Sequence, residues 1–211
     1  MKSIRGAYEE RGVESFYRER GHLYQNPHTA QIDALLSRYA ERITGARILD
    51  VCCGSGEVTR AALSLGALEV VGVDPYTYAA YERQTGLVCL RYSFAELIRG
   101  ALDDASISLD NGTGCTPTPR DVPASRYDLI ICSFAMHLCP QDQLYALVYT
   151  LFKYSETLMI ITPHKRPELE KLSGVLLCES AVELTPKGKR VTLKRYAMPH
   201  HPERGLIGGA P

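Results

Sequence analysis

The sequence has no excess of either charge and no long apolar run. Its 211 residues carry 24 basic and 24 acidic side chains, which argues against a large polyanionic substrate but allows a local basic face. The longest apolar runs, at residues 129–132 and 158–161, are far too short to span a bilayer. The first residues are charged and carry no apolar stretch of the kind found in export signals, so we expect a cytoplasmic protein.

Paired cysteines and metal-ligand spacings are also missing. The chain has seven cysteines but no C-x-x-C pair, which suits a reduced compartment better than a disulfide framework. None of its six histidines lies at H-x-x-x-H spacing. We therefore expect no metal site.

From residue 46 onward, short apolar runs alternate with helical patterns. Near-continuous apolar strands between helices are typical of a parallel sheet covered on both faces, so we predict a three-layer α/β/α sandwich. Two further strands at 175–184 and 190–197, joined by a polar turn, predict a C-terminal antiparallel hairpin. The earlier strands are expected at 47–51, 68–73, 87–90, 127–132 and 157–162, and the helices between them at 57–65, 76–84, 94–99 and 141–153.

The sequence suggests four segments. Residues 1–45 are expected to form an N-terminal helical lid of two helices, broken at Gly21 or at Asn26-Pro27. Residues 46–198 are expected to form the main domain, with a polar insert rich in Gly, Pro and Thr at 103–125. Residues 199–211 are expected to be a loose tail. The second N-terminal helix should bury one apolar stripe: Ile32, Leu35, Leu36 and Tyr39.

The first strand runs into a glycine turn, Asp50-Val51-Cys52-Cys53-Gly54-Ser55-Gly56, and then into a helix. Such a turn aims backbone N–H groups and a helix N-terminus at a ligand. The third glycine of the dinucleotide pattern G-x-G-x-x-G is missing. The Asp50 carboxylate would repel a pyrophosphate but suits a ligand with an α-ammonium group. The charge therefore favours S-adenosylmethionine over NAD, and residues 46–198 are expected to form the S-adenosylmethionine-binding domain.

A second carboxylate, Asp74, ends the next expected strand, where it can accept both hydroxyls of a ribose. After the third strand, Ser93 could meet the adenine edge and Phe94 its face. Residues 133–135, at the tip of the fourth strand, should border the methyl group. The predicted cofactor-binding residues are Asp50, Cys52, Cys53, Gly54, Ser55, Gly56, Asp74, Pro75, Tyr76, Ser93, Phe94, Ser133, Phe134 and Ala135.

These residues resemble the motifs of class I, Rossmann-like S-adenosylmethionine-dependent methyltransferases. Asp50 to Gly56 is similar to their first motif, Asp74 to their acidic second motif and residues 127–138 to their fourth. The resemblance covers about residues 48–197 and implies a seven-stranded sheet with S-adenosylhomocysteine as product. The chain departs from the family at Ser93, where an acidic residue often binds the adenine amino group. Residues 24–28, 133–138 and 162–168 also resemble a compact subgroup of the class, which implies no particular acceptor.

The expected catalytic residues are His137, which follows the fourth strand, and His164, which follows the fifth. A neutral imidazole at His137 could take the acceptor's proton, but a histidine here can also only orient a loop. Lys165 and Arg166 beside His164 indicate either an anionic acceptor or a solvated rim. The expected substrate and lid residues, which could alternatively be surface groups at a helix-breaking turn, are Tyr17, Tyr24, Asn26 and His28.

Three functions remain open for the chain. The favoured one is methyl transfer to an O, N or S nucleophile of a small molecule, because the chain shows no separate substrate domain and no net charge. An RNA or protein methyltransferase comes second and would need its C-terminal basic residues gathered at the cleft rim. The third is a non-catalytic S-adenosylmethionine-binding subunit. Neither a membrane partner nor an oligomeric state is indicated.

Overall fold

The computed structural model describes residue 21, residues 26–104 and residues 127–198. Tyr17 and Tyr24, the first expected helix, most of the expected insert and the expected tail lie outside these residues. The described strands are β1 (Arg47–Val51), β2 (Glu69–Val73), β3 (Cys89–Leu90), β4 (Leu129–Ser133), β5 (Thr157–Thr162), β6 (Leu176–Leu184) and β7 (Arg190–Ala197). The described α-helices are α1 (Thr29–Ser37), α2 (Ala40–Ile43), α3 (Glu57–Ser64), α4 (Tyr78–Thr85), α5 (Phe94–Ile98), α6 (Ala101–Asp104) and α7 (Gln141–Leu151).

The seven strands form one sheet in the order β3-β2-β1-β4-β5-β7-β6. The first five pair in parallel, and β7 pairs antiparallel with both β5 and β6. This confirms the expected mostly parallel sheet with an antiparallel C-terminal hairpin. The expected insert starts too early by two residues, because helix α6 continues through residue 104.

Alternate residues of the central strands face opposite layers, as the period of two in a strand requires. Ile48 and Ile131 pack with helices α1 and α3 on one face of the sheet. Leu49 and Ile130 pack with α5 and α7 on the other face. Complete burial of each such side chain stabilises the fold by roughly 1.5–3 kcal/mol. The sheet therefore lies between two helical layers, and the parallel strands end at one common edge.

Helix α1 belongs to one of these layers. The expected apolar stripe is confirmed, since Ile32, Leu35 and Leu36 are fully buried and Tyr39 nearly so. The chain turns after Ser37 before the short helix α2 begins. The longest described helix, α7, has 11 residues, and no described helix has the length and apolarity needed to cross a bilayer.

Candidate active site

A cavity of about 330 Å³ lies at the carboxyl ends of β1, β2, β3 and β4. This is the edge at which ligands bind in open α/β sheets. Ten of the residues predicted to bind a cofactor line it: Cys52, Gly54, Asp74, Pro75, Tyr76, Ser93, Phe94, Ser133, Phe134 and Ala135. The sequence did not single out the other lining residues, which are Thr77, Tyr92, Ala95, Leu138, Pro140 and Gln143.

The glycine turn after β1 holds three residues in the left-handed region of backbone conformation. They are Cys52 at φ 57°, Gly54 at φ 58° and Gly56 at φ 83°. Only glycine adopts this region at little cost, so Cys52 is a strained position on the cavity wall. A Cβ at Gly56 would also lie 3.2 Å from Cδ2 of the buried Tyr81. Gly56 is therefore required by the backbone path into helix α3 rather than by a contact with the cavity.

Asp50 is fully buried and does not line the cavity. The Thr59 hydroxyl donates to its Oδ2 at 2.8 Å, and the Tyr81 hydroxyl lies 3.2 Å from the same Thr59 oxygen. The other carboxylate oxygen, Oδ1, has no hydrogen-bond partner among the described residues. Burial raises the pKa of Asp50 to about 7 against the Thr59 hydrogen bond, with a contribution from the neighbouring Glu57. A nearby cation would therefore stabilise the ionised form of Asp50.

The Asp74 carboxylate is fixed by the turn that follows β2. Its Oδ1 accepts the backbone N–H groups of Tyr76 and Thr77, each at 2.8 Å. The residue is buried yet lines the cavity, and its Oδ2 accepts no hydrogen bond within the described chain. These contacts leave one oriented carboxylate oxygen available for ligand hydroxyls.

Ser93 begins helix α5 with a capping box. Its hydroxyl donates to Glu96 Oε2 at 2.6 Å, and the Glu96 N–H donates back to the Ser93 oxygen at 3.4 Å. The hydroxyl of Ser93 and its backbone N–H, which also donates to Glu96 Oε2 at 2.8 Å, hold the pKa of Glu96 below its usual range. The Ser93 hydroxyl proton is therefore used within the cap, although Ser93 and Phe94 both line the cavity.

A buried glutamate, Glu57, ties the N-terminal segment to the glycine turn. Its Oε1 accepts the backbone N–H of Asn26 at 3.2 Å and also the Ser55 hydroxyl. The Asn26 side chain in turn accepts the backbone N–H of His28 at 3.0 Å. The His28 ring stacks on Phe134, with centroids 4.9 Å apart and planes 2° apart. His28, one of the expected lid residues, therefore lies against a wall of the cavity, and Asn26, another, is held next to it.

His137 and His164 contact one another but do not line the cavity. Their ring centroids are 4.3 Å apart, and each residue is exposed over part of its surface while the two rings cover one another. Partial burial of the ring and the nearby His164 lower the pKa of His137 to about 4. His137 is therefore neutral at neutral pH but a weaker base than an ordinary histidine. Their catalytic assignment remains a prediction.

Four predicted cofactor residues, Asp50, Cys53, Ser55 and Gly56, lie behind the lining rather than in it. Cys53 is buried with its sulfur 3.5 Å from that of Cys89, and burial raises the pKa of its thiol. The supporting partners Thr59, Glu57 and Tyr81 were missed by sequence reasoning. No local pattern identifies them, because each acts through a contact made only when strand, helix and turn pack together.

Residues 22–196 match the model of a family described as a methyltransferase domain. This stretch contains the described sheet except its last residue, Ala197, and it contains every residue that lines the cavity. The chain belongs to this methyltransferase family. The methyltransferase is also 27% identical over 207 residues to an uncharacterized protein of Schizosaccharomyces pombe, covering 80% of this chain and 77% of the relative.

Solved structures share the fold of this methyltransferase. The magnesium protoporphyrin IX methyltransferase of Synechocystis, solved with bound S-adenosylmethionine, matches with a TM-score of 0.58 and 14% identity over 92% of this chain and 95% of its own. A candidate RNA methyltransferase of Pyrococcus horikoshii matches with a TM-score of 0.54 and 18% identity over 87% of this chain and 88% of its own. These two structures are named for different methyl acceptors, so they do not identify the acceptor of this chain.

Proposed function

We propose that this methyltransferase transfers a methyl group from S-adenosylmethionine to an oxygen, nitrogen or sulfur nucleophile of a small molecule. The observation that carries the proposal is the cavity of about 330 Å³, whose described lining includes no lysine or arginine. Its volume falls in the range of about 300–1,000 Å³ that is usual for small-molecule sites. A polyanionic acceptor would need basic side chains beside the cofactor, and the described lining of the cavity supplies none.

The charges around the cavity suit this cofactor. Asp50, Glu57 and Asp74 are three buried carboxyl groups close enough to influence one another, since the latter two raise the pKa of Asp50. Such a cluster attracts a ligand that carries an ammonium and a sulfonium group and repels a pyrophosphate. Asp50 lies behind the lining, so its carboxylate would act on a cationic ligand by its charge through space rather than by direct contact.

Each wall of the cavity is proposed to hold one part of S-adenosylmethionine. The turn from Cys52 to Gly56 would hold the methionine end, Asp74 the ribose, and Ser93 with Phe94 the adenine. Residues 133–135 would border the methyl group. When bound, S-adenosylmethionine supplies a methyl group on a sulfonium that is already an activated leaving group, so alignment of the acceptor supplies much of the rate.

The acceptor would approach past the N-terminal segment. His28 stacks on Phe134, and its Nδ1 is buried without a partner among the described residues. We infer that Asn26 and His28 contact the acceptor together with Tyr17 and Tyr24, which lie outside the described residues. His137, neutral at neutral pH, is the proposed base, with His164 beside it.

Calorimetry tests the cofactor assignment. S-adenosylmethionine and S-adenosylhomocysteine should bind and NAD should not. Asp74→Ala should weaken S-adenosylhomocysteine at least 10-fold, about 1.4 kcal/mol, because the ribose hydroxyls lose a charged acceptor. The matched control is Asp142→Ala, which removes an exposed carboxylate outside the lining. Tighter binding of NAD, or equal binding by the two variants, would contradict the assignment.

One observation favours RNA as the alternative acceptor. Because Thr162 pairs with Thr192, the chain after β5 and the β6–β7 turn lie at the same edge of the sheet as the cavity. This edge carries five exposed basic residues without a described ion pair: Lys165, Arg166, Lys187, Lys189 and Arg190. Other basic side chains nearby are neutralised, as in the pair of Lys194 with Glu170 at 2.7 Å.

Salt-dependent binding separates the two acceptor classes. A small-molecule enzyme should bind tRNA weakly, with little change in affinity between about 50 and 200 mM salt. Affinity that falls steeply over this range, and that charge reversal at Lys187 and Lys189 abolishes, would replace the small-molecule proposal with RNA. A structure with S-adenosylhomocysteine would then show whether the remaining space is a closed pocket or a groove.

A further inference from the structure

One part of the cavity is formed by chain segments that follow β3 and β4. Helix α5 packs against helix α7, and residues from the first turn of each helix line the cavity. Phe94 from α5, Leu138 from the preceding 3-10 turn and Gln143 from α7 all line the cavity there. Two of these are apolar side chains, so the space between the helices suits a flat aromatic ring.

The polar groups in this part of the cavity differ in their availability. The Ser93 hydroxyl and the Glu96 carboxylate bond each other, and Glu96 is not part of the lining. The Gln143 side-chain amide makes no hydrogen bond with any described residue, although its backbone N–H donates to the Pro140 carbonyl at 3.0 Å. The first turn of α7 therefore fixes the residue and leaves a partly buried carboxamide without a partner among the described residues.

We propose that Gln143 recognises the adenine base of the cofactor by hydrogen-bonding its 6-amino group and a neighbouring ring nitrogen. This inference rests on the proposed function. A carboxamide presents one acceptor and one donor side by side, which matches the donor and acceptor of an adenine edge. Gln143 thus makes the contact with the adenine amino group that an acidic residue near Ser93 often makes in the family. It is a specificity-determining residue contributed by α7.

The test measures by calorimetry how tightly two ligands bind to the wild type and to Gln143→Leu. The ligands are S-adenosylhomocysteine and its analogue that lacks the 6-amino group. Gln143→Leu, nearly the same size, should weaken S-adenosylhomocysteine about 10-fold and the analogue less than about 3-fold, because only the first loses the contact with the amino group. Gln141→Leu is the matched control, because Gln141 is exposed on the same helical turn and does not line the cavity.

A second variant, Gln143→Glu, keeps the test decisive if the leucine variant folds poorly. A carboxylate can only accept, so it should retain the preference for the 6-amino ligand while weakening both ligands by a few fold. Equal weakening of the two ligands by Gln143→Leu would overturn the inference, as would loss of the preference in Glu96→Gln with Gln143 intact. Failure of the wild-type protein to bind S-adenosylhomocysteine would instead refute the proposed function.

Discussion

Replacing Asp50 by asparagine should stabilise the ligand-free protein at neutral and alkaline pH. The carboxyl group is fully buried, and only one of its oxygens has a hydrogen-bond partner in the described structure. Asparagine has nearly the same shape and can still accept the Thr59 hydroxyl proton. It does not ionise, so it removes the free-energy cost of a buried charge.

The magnitude follows from the pKa of Asp50, which burial raises from 3.8 to about 7. Between these values the folded protein keeps a proton that the unfolded chain has released, so the free energy of unfolding falls as pH rises. A difference of about three pH units at about 1.4 kcal/mol each corresponds to roughly 4 kcal/mol above pH 7. At pH 5 the same relation leaves a cost of roughly 1–2 kcal/mol, and well below pH 3.8 almost none.

Urea unfolding of wild type and Asp50→Asn, at pH 5 and at pH 8.5, measures this effect. The advantage of the variant should grow by about 2–3 kcal/mol between the two pH values, and the titration of other groups cancels in the difference. Asp142→Asn, at an exposed carboxylate, is the control and should show no growing advantage. An Asp50→Asn variant that is less stable than wild type at pH 8.5 would refute the reasoning.

The same substitution should weaken cofactor binding, because a cationic ligand gains from an ionised Asp50. We expect S-adenosylhomocysteine affinity to fall at least 10-fold in Asp50→Asn at pH 8.5, about 1.4 kcal/mol. Affinity of the wild type should rise with pH through about 7, as the carboxyl group loses its proton. If Asp50→Asn is more stable but binds S-adenosylhomocysteine as tightly as the wild type, the charge of Asp50 does not contribute to binding.

Three further predictions concern the surroundings of the cavity. Gly56→Ala should lower the free energy of unfolding by about 1–3 kcal/mol in urea titrations. The control Gly86→Ala should lower it by less, because a Cβ at Gly86 meets open space, and equal losses in the two variants would contradict the packing argument. Glu57→Ala should speed hydrogen exchange at the Asn26 amide, which loses its acceptor, and unchanged exchange would exclude that contact in solution. NMR titration should find the His137 ring neutral at pH 6, with a midpoint near 4, whereas a midpoint near 6.5 would mean that its ring is solvated.

The local pattern of apolar and polar residues predicted most strands and helices, and the errors in their bounds have identifiable causes. Helix α4 begins at Tyr78 rather than at 76, because the Asp74 side chain binds the two N–H groups after Pro75 and makes a turn first. Strand β3 is reduced to Cys89–Leu90, since it pairs with only two residues of β2 at the sheet edge. Both differences from the predicted bounds arise from contacts with other residues, which the periodicity of apolar residues does not indicate.

The sequence by itself determined the order of strands and helices, the glycine turn and the two strand-end carboxylates, Asp50 and Asp74. These depend on residue type and on spacing over a few positions, which a linear pattern carries. The tertiary structure decided that Asp50 is buried behind the cavity, that Glu57 binds Asn26 across 31 positions and that Gln143 lines the cavity. Such contacts depend on how helices pack over the sheet, and the spacing of residues along the chain carries no record of that packing.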